Sequence, residues 1–313
     1  MNDRPTLQEL IEVQQQLGLP DPALVEKDWF VVKALAAIIA ADKGPFELIF
    51  QGGTALSRAH RVTKRMSEDI DIKIVSKGPP SRRALRRLRE RITAELHKAG
   101  FKFDPKNPKH LKSNYEGRYT LYQLPYEPIA AGQGALRPEI KIETSVWPMR
   151  RPSSELPVSS FVAEAFKREP EVPAIATAAI PETAAEKFVA LTRRAGAELA
   201  GLQTEHDPTL VRHIYDLHVI AEHYDPADVA ALAREVMHSD AETYGDQFPA
   251  YRDNPLAETL RAVEGIAADP RFAADYAAFQ RDMVYGEGPD FATALQTLKR
   301  LAEELQKLPP KSD

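Results

Sequence analysis

Two short stretches of this chain carry residues whose types and spacing suit one chemistry. Asp69 and Asp71 lie two apart in a run from Asp69 to Val75 where charged or polar residues alternate with apolar ones. A period of two is the pattern of a strand with one buried face, so both carboxylates point the same way, roughly 6–7 Å apart at Cβ. Oxygen ligands so placed suit hard divalent cations such as Mg²⁺, and two ions fit the pattern. Upstream, Gly52-Gly53-Thr54 follows the apolar run Glu47 to Gln51. Glycines let backbone N–H groups approach a ligand, and the start of a helix favours anions, which makes a place for a triphosphate. Phosphoryl transfer uses both parts: one metal polarises the attacking hydroxyl while the other steadies the phosphates and the pyrophosphate leaving group. A glycine pair alone is most often a turn, and Asp-x-Asp alone is most often a solvated strand edge. Apolar strand, Gly-Gly-Thr, helix, short connection and Asp-x-Asp in that order are far more specific.

These residues need a scaffold, and the flanking sequence predicts one. Leu7 to Leu17 and Pro22 to Ala41 have helical spacing, with Asp21 as N-cap before Pro22. Glu47 to Gln51 reads as a buried strand, Thr54 to His60 as a helix, and Asp69 to Val75 as a strand. Ser81 to Ala99 reads as a Ser-capped amphipathic helix ended by Gly100, and Tyr115 to Leu124 and Glu139 to Trp147 as strands with a glycine-containing loop at 130–135. Proline-rich punctuation at 148–157 and 170–181 reads as linker, and nearly everything beyond Pro181 has helical periodicity. The expected organisation is α+β: residues 1–155 as a mixed catalytic domain with N-terminal helices, and residues 156–313 as an all-helical domain.

The composition narrows the chemistry further. The chain of 313 residues has no cysteine, which excludes disulfides, thiol nucleophiles and thiolate metal sites. Its net charge of −5 conceals an asymmetry. Residues 1–156 carry 26 Lys+Arg against 19 Asp+Glu, whereas residues 157–313 carry 15 against 27. Phosphate-bearing ligands therefore belong to the first half. The longest apolar stretch, Phe30 to Ala41, is interrupted by Lys33 and too short to span a bilayer, and no signal-peptide layout opens the chain. A cytoplasmic location without membrane partners is expected.

Gly52-Gly53-Thr54-Ala55-Leu56-Ser57, followed by Arg65-Met66-Ser67-Glu68-Asp69-Ile70-Asp71-Ile72, resembles the signature of the AbiEii/AbiGii toxin family of nucleotidyltransferases, in the DNA-polymerase-β-like superfamily. Val25 to Trp29, Ala185 to Leu191 and Arg212 to Leu217 are similar to further family segments, whereas the tail from about Pro226 matches no motif. The resemblance implies a polymerase-β-like nucleotidyltransferase domain with a small mixed sheet, followed by a helical domain. It implies that Asp69 and Asp71 ligate Mg²⁺ and that Gly52, Gly53, Thr54, Ser57 and Arg65 border the NTP phosphates. A third carboxylate is expected from a neighbouring strand, with Glu143 first and Glu139 in reserve on the same face. Lys187 would contact nucleotide phosphates, and Asp216 would complete the site. At His213 some relatives carry an acidic residue. Read from the residues alone, Lys187 is an ordinary solvated lysine, His213 and His218 are structural, and Glu26-Lys27-Asp28 is the polar face of a helix or a support for the site.

The resemblance further implies transfer of a nucleoside monophosphate to the 3′ end of tRNA, a toxin–antitoxin or phage-defence setting, and a partner antitoxin. Arg82, Arg83, Arg86, Arg87, Arg89 and Arg91, with the following lysines and Tyr115, Tyr119 and Tyr122, form a basic field with interleaved aromatics. Such a field is either a solvated face or a hold on an RNA backbone. Two rival readings stand beside tRNA transfer: nucleotidyl transfer to a protein or a small molecule, and a Mg²⁺–NTP-binding module without turnover.

Overall fold

The alternating run Asp69–Val75 folds as the central strand of a seven-stranded mixed sheet. A computed structural model, which describes residues 4–130, 136–203 and 205–309, divides the chain into two compact units, Met1–Ala178 and Ala179–Asp313. The glycine-containing loop expected at 130–135 lies, from residue 131 on, outside the described residues.

The first unit begins with helices α1 (Leu7–Leu17) and α2 (Pro22–Ala40). Strand β1 (Glu47–Gln51) then runs into a single helical turn, α3 (Gly52–Thr54), continued by a π-helical turn over Ala55–Ala59 in place of the regular helix expected there. Next come β2 (Asp69–Val75), α4 (Arg82–Lys98), β3 (Leu111–Asn114), β4 (Tyr119–Pro125) and β5 (Glu139–Val146). The unit closes with β6 (Ser154–Val158), the short helix α5 (Phe161–Ala165) and β7 (Val172–Thr177). The strand order is β3-β4-β5-β2-β1-β7-β6. β2 pairs antiparallel with β1 and parallel with β5, and β5 pairs antiparallel with β4.

One face of this sheet is apolar. Ile70, Ile72, Ile74, Ile140, Ile142, Tyr122 and Leu124 are all buried, and α2 and α4 pack in the same core. α2 has no solvent face to speak of: from Ala23 to Val32 every residue is buried, including three consecutive charges. Glu26, Lys27 and Asp28 are 1 %, 2 % and 3 % exposed, so they are not the polar face of a helix. Such groups persist in a core only with partners, and each has them, as the site below shows.

Two sequence expectations change. The strand read from Tyr115 starts at Tyr119, because Tyr115, Glu116 and Gly117 have φ of 49°, 58° and 90° and form a tight turn; left-handed backbone cannot continue a ladder. The proline-rich segments are also not simply linker. They fold as the β6–β7 hairpin, and β7 joins the sheet by pairing parallel with β1. Proline is tolerated because β6 is the edge strand, and its ladder shifts register between Leu156 and Val158, where Pro157 has no N–H to give. The division between units thus falls at Ala178/Ala179, later than the 155/156 boundary read from the sequence.

The second unit is built from helices α6 (Ile180–Leu199), α7 (Val211–Val219), α8 (Pro226–Tyr244), α9 (Pro249–Asp253), α10 (Pro255–Ala268), α11 (Pro270–Met283) and α12 (Phe291–Lys307). Asp225, Asn254, Asp269 and Asp290 cap four of them through their side chains, which satisfies N–H groups that the helices leave open. α6 is the hub, packed against α7, α8 and α10.

Candidate active site

Asp69 and Asp71 stand on the half-buried face of β2, opposite the isoleucines that anchor the strand. Both have interaction partners within the protein. The turn from β1 into α3 lies against them. Gly52 has φ of 78°, and a Cβ there would collide with Asp71 Oδ2. A Cβ at Gly53 would collide with the Arg65 guanidinium and come within 2.8 Å of Ser67 Oγ. The glycine pair is therefore required twice, by backbone conformation and by the space that Asp71 and Arg65 occupy. Thr54 Oγ1 donates to the Asp69 carbonyl oxygen and lies 2.9 Å from Ser67 Oγ, tying the turn to the start of β2. Ser57 is buried, its hydroxyl donating to the Thr54 carbonyl at 3.2 Å. Arg65 is buried too, with Nη1 donating to the Met66 carbonyl at 2.8 Å.

The sheet register sets the third carboxylate. Across the β2–β5 ladder Asp71 faces Glu143 and Asp69 faces Lys141, while Glu139 lies at the start of β5, ahead of the segment paired with β2. Glu143 is engaged on both oxygens: Lys141 Nζ lies 2.7 Å from Oε1, and the Tyr119 hydroxyl donates to Oε2 at 3.1 Å. Burial alone would lower the pKa of Lys141, but the bond to Glu143 and the charges of Asp69, Glu143 and Asp71 outweigh it and raise it. An ammonium thus stands among three carboxylates.

That arrangement bears on metal binding. The aspartate pair offers hard oxygen donors on one strand face, beside a turn whose missing Cβ atoms leave Asp71 room, and this fits a divalent cation. With Glu143 held by Lys141 and Tyr119, no group of three or more carboxylate or imidazole residues is gathered tightly enough for an ion among the described residues. Asp69 and Asp71 therefore fit the cation as they stand. Glu143 fits once it leaves Lys141.

α2 braces this face. Lys27 donates to Glu68, the residue before β2, and at 3.0 Å to the carbonyl of Arg137, just ahead of β5. One buried lysine so pins the entrances of both carboxylate-bearing strands. Glu26 accepts the N–H groups of Ile129 and Ala130 and the Arg4 guanidinium. Asp28 accepts the Phe161 N–H at 2.6 Å and lies 3.6 Å from Arg58; burial pushes its carboxyl up to about 6 despite both partners.

Within the second unit, Lys187 on α6 and Asp216 on α7 form a buried ion pair, Nζ to Oδ2 2.8 Å. Lys187 is not a solvated lysine. His213, one turn before Asp216, is buried with Nδ1 lacking a hydrogen-bond partner, and burial, then the Lys187 charge, holds its pKa well below the ordinary 6.5. It is neutral at pH 7. His218 is structural, with Nδ1 2.9 Å from Thr297 Oγ1.

A family model described as nucleotidyl transferase AbiEii toxin, type IV toxin–antitoxin system, matches residues 33–297. The chain belongs to this family. As an AbiEii protein it is a nucleotidyltransferase toxin of a type IV system, and that membership implies an NTP substrate and an antitoxin partner. Among solved structures it is similar to MenT4, a nucleotidyltransferase toxin from Mycobacterium tuberculosis H37Rv. The two are 17 % identical over 96 % of this chain and 90 % of MenT4, with a TM-score of 0.57, so they share the mixed α+β fold. No curated protein sequence matches the chain significantly. No described helix of this AbiEii protein is long and apolar enough to cross a membrane.

Sequence reasoning passed over three residues at this face: Lys141, Tyr119 and Lys27. The signal for Lys141 was present, since a period of two puts it on the face of Glu143. Tyr119 and Lys27 act through partners 24 and 41 residues away, which no local pattern encodes.

Proposed function

We propose that this AbiEii protein transfers a nucleoside monophosphate from an NTP to the 3′-hydroxyl of cytoplasmic tRNA, releasing pyrophosphate and so blocking aminoacylation, in a toxin–antitoxin locus that serves phage defence. The observation that carries the reading is the convergence of Asp69 and Asp71, the Gly52–Gly53 turn and the register partner Glu143 on one strand face. Mg²⁺, held by Asp69 and Asp71 and joined by Glu143, would supply charge neutralisation at the phosphates and a more acidic acceptor hydroxyl. Gly52 and Gly53 present backbone N–H groups, and Thr54, Ser57 and Arg65 hold that turn in shape. Lys187 contributes a cation for the nucleotide phosphates, and Asp216 positions its ammonium at 2.8 Å. Lys141 keeps Glu143 neutralised until a substrate-bound cation takes its place.

Incubating the protein with each α-³²P-labelled NTP, Mg²⁺ and total tRNA tests this, beside Asp69→Ala and Asp71→Ala variants and a protein-only lane. Label in tRNA that both variants abolish is the expected result. Label in protein would move the acceptor to a side chain. Mg²⁺-dependent NTP binding without any transfer would leave a nucleotide-binding module and sink the enzymatic reading.

A further inference from the structure

The hairpin that supplies Tyr119 to Glu143 also borders a second feature of the first unit. Arg82, Arg83, Arg86 and Arg89 of α4 line a cleft of about 590 Å³, closed on the other side by Ser113 and the turn residues Glu116 and Gly117. Four guanidinium groups thus meet one carboxylate. Among the described residues neither Arg82 nor Arg83 has an ion-pair partner, and Arg86 has only the exposed Glu90 at 3.7 Å. Surface pairs of that kind offset little charge. Arg89 is oriented by its bond to Ser113 Oγ at 2.9 Å.

Spacing turns this excess of charge into a shape. Arg82, Arg86 and Arg89 follow at i, i+4 and i+7, one helix face, and at about 1.5 Å rise per residue they span about 10 Å. A nucleic-acid strand carries one phosphate per about 3.4 Å of axis, so the row matches about three consecutive phosphates. Guanidinium forks bind phosphate oxygens in pairs, which lysines cannot do. Gly117, at φ of 90°, lies over α4, where an added Cβ would meet Leu85 at 3.5 Å. The same left-handed turn leaves Tyr115 68 % exposed beside two lining residues, an aromatic surface on which an unpaired base can stack. Only Arg118 separates Gly117 from Tyr119, the residue that touches Glu143.

We propose that this cleft binds RNA through its phosphodiester backbone, with Arg82, Arg83, Arg86 and Arg89 on successive phosphates and Tyr115 under a base. On the reading given above, on which this rests for the identity of the strand, the RNA is the acceptor, held by its body while its 3′ end is presented at Asp69 and Asp71.

The test is fluorescence anisotropy of a fluorescein-labelled RNA minihelix ending in CCA, with the full chain, between 50 and 300 mM KCl. The triple variant Arg82→Gln, Arg83→Gln, Arg86→Gln spares the Arg89–Ser113 bond, and its fold is checked by circular dichroism and melting. Binding weakens at least about tenfold, and the slope of log affinity against log salt becomes shallower by about 2, at about 0.7 per single-strand phosphate lost. Tyr115→Ala weakens binding without changing that slope, and Asp69→Ala binds the minihelix like the unmodified protein. Unchanged affinity and slope in the triple variant overturn the proposal. So does displacement of the minihelix by polyglutamate as readily as by polyphosphate of equal charge, since the surface then fits an acidic protein. If the triple variant loses the minihelix while the unmodified protein labels no RNA, the cleft stands as an RNA site and the acceptor assignment alone falls.

Discussion

Each unit of this protein holds a lysine beside a carboxylate, and the two pairs live in different worlds. Lys141–Glu143 sits on a strand face with side chains 39 % and 30 % exposed, and two aspartates stand beside it. Lys187–Asp216 lies between two packed helices with 8 % and 0 % exposed. Water screens the first pair, so it gains little from being made and loses little when broken; it can be exchanged for a ligand. The second is fixed, because separating it would leave a charge in a medium that cannot solvate it. The contrast separates a site kept open for exchange from one that holds a single charge in place.

Substitutions at the open face strike activity first. Asp69→Ala and Asp71→Ala each lower nucleotidyl transfer about 10³-fold or more, because a cation's several kcal/mol of transition-state stabilisation goes with its ligand, while urea midpoints stay near that of the unmodified protein. If either variant retained full transfer, the β2 face would not be the catalytic one.

Stability should show the opposite ranking. Asp216→Ala removes the carboxylate from a buried ammonium and costs about 3–5 kcal/mol, whereas Lys141→Met costs less than about 1 kcal/mol. Equal shifts in urea midpoint for the two variants would erase the distinction drawn above.

The two units also answer pH in opposite directions. Asp28 keeps its proton in the folded state up to about pH 6 but releases it near 3.8 when unfolded. The native state therefore binds more protons between those values, and stability falls as pH rises through the window, by about 3 kcal/mol in all, then levels off. Asp28→Asn abolishes that slope. His213 stays neutral when buried, while the unfolded chain takes up a proton below about 6.5, so its contribution is constant above that pH and is lost as pH falls. His213→Gln removes this acid loss. Urea titrations between pH 4 and 8 on both variants read the two slopes separately.

The smallest expected effect combines backbone and site. Gly52→Ala forces a positive φ on an L side chain and pushes its Cβ into Asp71 Oδ2, for about 1–3 kcal/mol of stability. NTP binding should weaken along with it, measured by calorimetry. Normal binding in a folded Gly52→Ala protein would remove the turn from the phosphate site.

Much of this protein is legible from its residues in order. The limits of β1 and β2 follow from local alternation, and the glycine turn is marked by the only residues that allow it. The helical second unit follows from periodicity and from Asp and Asn caps before Pro-led helices. These are short-range properties, decided by sterics and by which face of a strand or helix is apolar. Pairing between distant segments is of another kind. That the proline-rich stretch joins the sheet beside β1, that Asp71 meets Glu143 while Asp69 meets Lys141, and that three charges of α2 are buried on specific partners were tertiary decisions. Period two tells which face a side chain takes, but it is blind to the strand across the ladder. Only the folded sheet, by choosing a register, turns a row of carboxylates into a site with a lysine in it.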